Sequence, residues 1–452
     1  MKQTRPTIVY VGAQLPKRSE TFVYRELLEL RRRGRAVLAA SVNAPERGLG
    51  DVALDQLADE AVVVYGGGAG LLTDALVQVL TAPVRSVATL VRGLCDAVLG
   101  RDVAFKRRPK VLVQCVAGLV LARRLRRRGV DVCHLHAHMA HVPATVAMYA
   151  AMALGVTWSF TGHAVDLFEQ RTLLPAKLRR AAFVACISHW HRRWYRALVD
   201  LPDERAPIVR CGVDVAQFRP RPAPVEEPGG CRHVLAVGRL VPKKGFDVLI
   251  KAARILLDNE VWARVTIVGD GPERDELIEL RDELNLAGDV ELPGAFDNAK
   301  VRAMMNDADV VVLPCQVDEG GDRDGIPVVL MEAMACGRCV ITGDLPTIRE
   351  LVEDGVNGYR VTPGDSDALA EAMTRALESP TRRRQMGEAG RQRVEQEFAL
   401  GPNVARLERA FDRVCPGFTA ATAPAADAPP APAPAPPGPP RPPRAPRAPA
   451  DA

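Results

Sequence analysis

The chain has 452 residues, 47 % hydrophobic and 25 % charged, enough apolar material for two α/β domains with separate cores. Its net charge of +5 hides an asymmetry: residues 1–212 carry 31 Lys and Arg against 17 Asp and Glu, whereas residues 213–452 carry 29 against 38. A basic front half suits an anionic surface or acceptor, and with aromatics at 5 % and no DNA- or RNA-binding signature, nucleic acid is not an expected partner.

In chain order, the front half begins with a strand over residues 8–11 and a polar loop. A helix over 20–33 follows, with Ser19 as its expected cap and Gly34 as its stop, then a strand over 36–41. Further strands are expected at 62–65, 130–135 and 157–161. Alternation at this spacing predicts a parallel sheet with helices on both faces. Residues 71–128 do not read as a compact βα unit. The apolar run 111–122 lies between the cationic clusters 105–110 and 123–128, which fits either a surface helix resting on anionic lipid or a core helix with a solvated basic end. That run is interrupted by Gln114 and is shorter than the ~20 apolar residues that cross a bilayer.

A Pro- and Gly-rich stretch over 219–230 reads as a linker. Beyond it a second α/β unit is expected: strands at 233–237, 263–268, 290–292, 310–313 and 339–342, and helices at 246–258, 272–285, 300–306 and 327–336. Helices at 367–377, 380–397 and 402–414 close the fold. Predicted organisation is thus a domain over 1–218, a linker over 219–230, a domain over 231–400, a crossing helix over 401–415 and a Pro/Ala tail over 416–452. Such a tail cannot bury a core. Ten cysteines, several of them in apolar runs, and an N-terminus leading straight into a strand predict reduced thiols, no disulfide and a cytoplasmic location.

Chemistry concentrates in two loops of the second half. Asp324-Gly-Ile-Pro-Val-Val-Leu-Met-Glu332 follows an apolar strand and opens a helix. Free N–H groups after Asp324, at Gly325, Ile326 and the helix start beyond Pro327, form a site for phosphate, and Glu332 is expected about two turns in on the same face, where a carboxylate can hold ribose hydroxyls. The loop 237–246, VGRLVPKKGF, places Gly238, Arg239 and Lys244 between a strand and a helix, suited to neutralising a diphosphate. Gly269 marks another strand-to-helix turn. His134, His136, His138 and His141 have alternating spacing that would suit zinc, but no metal is expected; Cys336 and Cys339 read as core packing.

Together these segments resemble the family 4 retaining glycosyltransferases of GT-B architecture, over about residues 8–414. The resemblance implies two Rossmann-like doubly wound parallel-sheet domains facing a cleft, with the C-terminal helix crossing back to the first. It implies that Arg239 and Lys244 hold the donor diphosphate, that Asp324 contacts the donor sugar and that Glu332 holds the nucleotide ribose. Asp324 stands where the general family pattern has Glu. FTGHAVDLF (residues 160–168) is similar to the segment carrying the family's His, so His163 is expected beside the donor sugar, with Asp166, Glu20 and His138 on the acceptor side. SETFVYREL, HLHAHMAH and DRDGIPVVLMEAMACG resemble the branch that builds exopolysaccharides, including colanic-acid-type transferases.

What the resemblance implies for function is retaining transfer from a UDP- or GDP-sugar to a lipid-linked glycan acceptor, without a cofactor. The protein would sit in the cytoplasm or on the inner membrane face. A soluble transferase acting on a small sugar and a nucleotide-sugar 2-epimerase of the same architecture are the alternatives.

Overall fold

A computed structural model describes residues 5–66, 70–100, 102–164, 171–221 and 232–418. Asp166, most of the linker and the Pro/Ala tail lie outside these residues. The first half runs β1 (Thr7–Gly12), α1 (Thr21–Arg32), β2 (Val37–Ser41), α2 (Val52–Glu60) and β3 (Val62–Val63). Three helices follow in succession: α3 (Gly70–Thr81), α4 (Pro83–Leu99) and α5 (Arg108–Arg127). Then come β4 (Val132–His138), α6 (Val142–Leu154), β5 (Thr157–Gly162), α7 (Leu174–Arg180), β6 (Phe183–Cys186) and α8 (His189–Leu198). The strands form one parallel sheet in the order β3-β2-β1-β4-β5-β6.

The second half repeats the plan. It runs β7 (Arg232–Val237), α9 (Phe246–Asp258), β8 (Ala263–Val268), α10 (Arg274–Glu283), β9 (Val290–Gly294), α11 (Asn298–Asp307) and β10 (Val310–Leu313). It continues α12 (Val328–Ala335), β11 (Cys339–Gly343), β12 (Tyr359–Val361), α13 (Ser366–Glu378), α14 (Pro380–Arg393) and α15 (Leu400–Val414). Its sheet order is β12-β11-β10-β7-β8-β9. Both sheets are therefore doubly wound, with a switch in strand order beside their first strand. Ligands in such sheets bind at the carboxyl ends of the strands near that switch.

α15 returns to the first sheet. Leu407 and Phe411 join Ile8, Tyr10, Leu27 and Leu30 in one core cluster, and Glu408 takes Arg33 at 3.0 Å and Arg35 at 2.9 Å. The crossing helix expected from the family resemblance is thus in place.

The structure corrects several sequence-based expectations. α5 is mainly a core helix and not one lying on the surface: Val111, Cys115 and residues 117–122 are buried against α6, α3 and α4, while Leu112 and Val113 near its start stay exposed. Its basic end serves the interior, with Arg124 on Asp74 at 2.8 Å and on the carbonyls of Val63 and Val64, and Arg126 on Ala153 O at 3.1 Å. Cys133 and Cys415 form a disulfide, 282 residues apart in sequence with Cα atoms 5.7 Å apart, where no disulfide was expected. The pairing exists because α15 recrosses the molecule, a tertiary event that no local cysteine context reveals. Ser19 does not cap α1; Glu20 takes the N-cap position and turns its carboxylate to Lys17 at 2.9 Å. β12 was not anticipated, being three residues long.

Candidate active site

The loop between β7 and α9 is built on close backbone approach. Gly245 has φ +67°, and a Cβ there would sit 2.3 Å from the carbonyl oxygen of Pro314. Only glycine takes this conformation without strain, so the loop nests against the end of β10. That nesting brings Lys244 to Asp324: Nζ lies 2.6 Å from Oδ2, with both side chains almost wholly buried. Lys243 reaches Asp322 at 2.9 Å and the second oxygen of Asp324 at 3.6 Å. Burial alone would raise the Asp324 carboxyl's pKa, but the two lysines outweigh it and hold it below the ordinary carboxylate range. Burial likewise pushes the Lys244 ammonium down, and Asp324 more than compensates. Both partners therefore point to one charged pair. Beneath it Cys315 Sγ donates to Asp324 Oδ2 at 3.3 Å, and Thr347 Oγ1 donates to the Asp324 carbonyl at 3.0 Å.

Gly325, Ile326 and Pro327 carry the chain from Asp324 into α12, with Pro327 at its N-cap. Glu332 is the fifth residue of that helix, just over one turn in where two were expected, because the helix starts only at Val328, and its Oε1 takes Arg25 Nη1 of α1 at 2.6 Å. The paired acids thus sit on the second half, one held by a lysine of its own half and the other by an arginine of the first. Arg239 is exposed on the loop after β7, close enough to Lys244 to oppose its charge. Gly238 and Gly269 meet edge to edge: a Cβ on Gly269 would lie 1.8 Å from the Gly238 carbonyl oxygen.

Across the cleft stands a line of imidazoles. β4 and β5 pair in parallel, and every second residue on each strand faces the same side. His134 is held between Thr157 Oγ1 and Ser159 Oγ, each at 2.7 Å; His136 lies between Ser159 Oγ at 2.7 Å and Thr161 Oγ1 at 3.1 Å. Burial drives the His134 pKa down to about 3, and His136 well below the ordinary imidazole range. The next imidazole leaves the ladder: His138 Nε2 donates to Glu26 Oε1 at 3.0 Å, and its Nδ1 faces His163 Nε2 at 3.2 Å. Tyr10 Oη donates to the same Glu26 oxygen at 2.8 Å. Glu26, His136 and His138 place ligand atoms within 4.8 Å of one another, but the hydrogen bonds just described already engage them.

His163 is buried, and burial followed by the nearby His138 and His191 lowers its pKa well below the ordinary value. Its ring lies 4.4 Å from that of Phe22, and its carbonyl accepts from His191 Nε2 at 2.8 Å. The two halves touch here: a Cβ on Gly325 would stand 3.4 Å from the His163 carbonyl and 3.3 Å from Ile187 Cδ1. His163, Asp324, Lys244 and the start of α12 are therefore brought together, with Glu332 along the same helix. Glu20 pairs with Lys17 instead of with these groups.

Sequence reasoning missed Arg25, Glu26 and Glu350. Glu350 accepts from the backbone N–H of His189 at 3.0 Å and Trp190 at 2.8 Å, and from Arg210 at 2.8 Å, joining the halves at a third point. Burial raises its pKa, and Arg210 with these N–H groups brings it below the usual range. Arg25 and Glu26 lie in the quoted stretch SETFVYREL, adjacent on α1, where two charges on consecutive positions face different neighbours.

The same halves are recognised by comparison with known proteins. Residues 53–217 match the model of "Glycosyltransferase Family 4" and residues 220–393 that of "Glycosyl transferases group 1". An Escherichia coli protein named for colanic acid biosynthesis, the glycosyltransferase WcaL, is 41 % identical over 172 residues, covering 38 % of this chain and 42 % of that protein. The amylovoran biosynthesis glycosyltransferase AmsK of Erwinia amylovora is 33 % identical over 211 residues, 46 % of this chain and 51 % of its own. The chain therefore spans about half the length of these curated relatives. Among solved structures, Anabaena HepE in complex with UDP superposes with a TM-score of 0.64 at 18 % identity, covering 90 % of this chain and all of that one. With family models matching both halves and two facing doubly wound sheets tied by a crossing helix, the chain belongs to the family 4/group 1 glycosyltransferases of GT-B fold.

Proposed function

We propose that the protein is a retaining glycosyltransferase moving a sugar from a UDP- or GDP-linked donor to a lipid-carried glycan acceptor, in the assembly of exopolysaccharide or another cell-surface glycan. The observation that carries this reading is the buried Lys244–Asp324 pair at the start of α12, with the backbone of His163 in the first half standing close to Gly325. A departing nucleoside diphosphate gains negative charge as the anomeric bond breaks. Arg239, Lys244 and the N–H groups near Gly325 are placed to stabilise that charge, and do so more in the transition state than in the bound donor. Asp324 then takes donor-sugar hydroxyls, and Glu332, oriented by Arg25, takes the ribose.

With the donor seated, the acceptor hydroxyl attacks from the face the diphosphate leaves, and the leaving phosphate accepts its proton. The glycosidic bond to the acceptor forms as the bond to the diphosphate breaks, with retention of configuration. His163, fixed by His138 and Glu26, positions the donor sugar. Arg239 and Lys244 fill the charge role, so the reading invokes no cofactor. The exopolysaccharide relatives WcaL and AmsK support the glycan context, and HepE with UDP supports a nucleotide donor.

A thermal-shift series with UDP- and GDP-sugars tests the reading. One nucleotide sugar at saturating concentration should raise the wild-type midpoint by about 2 °C or more, and Lys244→Ala should abolish the shift. Absence of any shift in the wild type, or an equal shift in Lys244→Ala, overturns the assignment of this site.

A further inference from the structure

The two helices between β3 and α5 are packed inside out. α4 turns Ser86, Thr89, Gly93, Asp96 and Ala97 toward the protein. Asp96 accepts from both guanidinium nitrogens of Arg180 at 2.6 and 2.7 Å and from Tyr149 Oη at 2.9 Å. Gly93 lies so close to α5 that a Cβ would stand 2.5 Å from Cys115 Sγ. Small and polar side chains thus make the internal contacts, the packing that helices use where apolar residues gain nothing by turning inward.

The large side chains go outward. Val84, Val87, Val91, Leu94 and Val98 make one exposed stripe along α4, with Val84 82 % accessible. Leu72, Leu76 and Leu80 make a second along α3. Phe105, also 82 % accessible, and Leu112 and Val113 at the start of α5 extend this surface. A monomer in water rarely leaves so many apolar side chains contiguous.

Charge identifies the occupant. Arg92, Lys106 and Lys110 are exposed among these side chains. Of the acids between residues 71 and 110, Asp74 is paired with Arg124 and Asp96 with Arg180, leaving Asp102 as the exposed one. A second copy would set this basic border against itself, and the sequence after Phe418 has no large apolar residue with which to cover the face. Among the described residues no helix is long and apolar enough to cross a membrane, so the helices would lie in its plane. We propose that the consecutive helices α3 and α4, extended by Phe105, Leu112 and Val113, are an in-plane docking surface for an anionic phospholipid bilayer. This deepens the lipid-carried acceptor reading and rests on it for its purpose, though not for its geometry.

The test uses the full chain and co-sedimentation with vesicles of equal phosphatidylglycerol and phosphatidylcholine, against vesicles of phosphatidylcholine alone. Wild type should partition to the anionic vesicles, less so at high salt, and Val87→Glu/Val91→Glu/Leu94→Glu should lower partition by about tenfold or more. Undiminished partition of the triple variant, or no wild-type binding to anionic vesicles, overturns the proposal. So does a wild-type dimer that the variant breaks without any vesicle binding, which would assign the face to a second copy. Nucleotide-sugar thermal shifts on the same preparations confirm that the variant is folded. They also separate the two readings: donor binding without vesicle binding removes the docking surface alone, and the reverse removes the transferase site alone.

Discussion

Lys244 is claimed by one anion of its own chain and, in the proposed reaction, by a second from the substrate. The Asp324 pair keeps it charged while buried, which an isolated buried ammonium would resist. The imidazoles opposite behave differently. His134, His136 and His163 are held neutral by burial, with His134 near pKa 3 against an ordinary value of 6.5. Their native values lie below their unfolded ones, so the unfolded chain binds more protons as the pH falls past 6.5, and stability rises with pH through that window. Asp324 contributes in a lower window: its depressed pKa adds stability above the ordinary value of 3.8, and that stability is lost as the pH falls from there through the folded value. Thermal midpoints at pH 7.5 and 5.5 should therefore differ, the acid value being lower by about a few degrees, and His134→Gln should shrink the gap. A midpoint flat across this range would show that the buried imidazoles take up protons in the native state much as they do in the unfolded chain. At this scale the acids and the lysine were legible because a strand, a turn and a helix start place them locally. Arg25 and Glu26 were not, since their partners Glu332 and His138 lie 307 and 112 positions away.

Helices and strands were legible where period and punctuation agree. The 237–246 loop is the clearest case, with its closing Gly245 in the left-handed region against Pro314. Gly245→Ala adds both backbone strain and a clash, and should cost about 1–3 kcal/mol of stability. Urea midpoints measure this, and nucleotide-sugar affinity should fall with it, because the loop carries Lys244. A variant with unchanged midpoint and affinity would mean that the loop relaxes away from β10 without loss. The segment 71–128 stayed open between a core helix and a lipid-facing one for a related reason. Apolar periodicity shows that a helix has a greasy face but not whether protein or lipid meets it. α5 buries that face in the core, whereas α3 and α4 expose theirs.

Over the whole molecule, the parallel doubly wound plan followed from strand and helix alternation, while long-range closure did not. The Cys133–Cys415 bond ties the end of α15 to β4. A link closing 282 residues restricts the unfolded chain, so Cys133→Ser should lower the thermal midpoint in oxidising buffer by an amount reflecting about 2–4 kcal/mol. Reductant should bring the wild type to the same value; equal wild-type midpoints with and without reductant would deny the bond any stabilising part.

The chain passes between the halves twice, and the two passages are laced together. Val213 donates to the Phe398 carbonyl at 2.8 Å, Leu400 donates back to the Val213 carbonyl at 2.9 Å, and a Cβ on Gly212 would lie 2.4 Å from Leu400 Cα. Arg391 adds bonds to the carbonyls of Phe218, at 2.6 Å, and Val215, at 3.1 Å. Two strips of backbone joined side by side bend together but do not slide or twist past each other. A swing of one half against the other would therefore hinge about the line of that seam, with Gly325 and His163 kept in register.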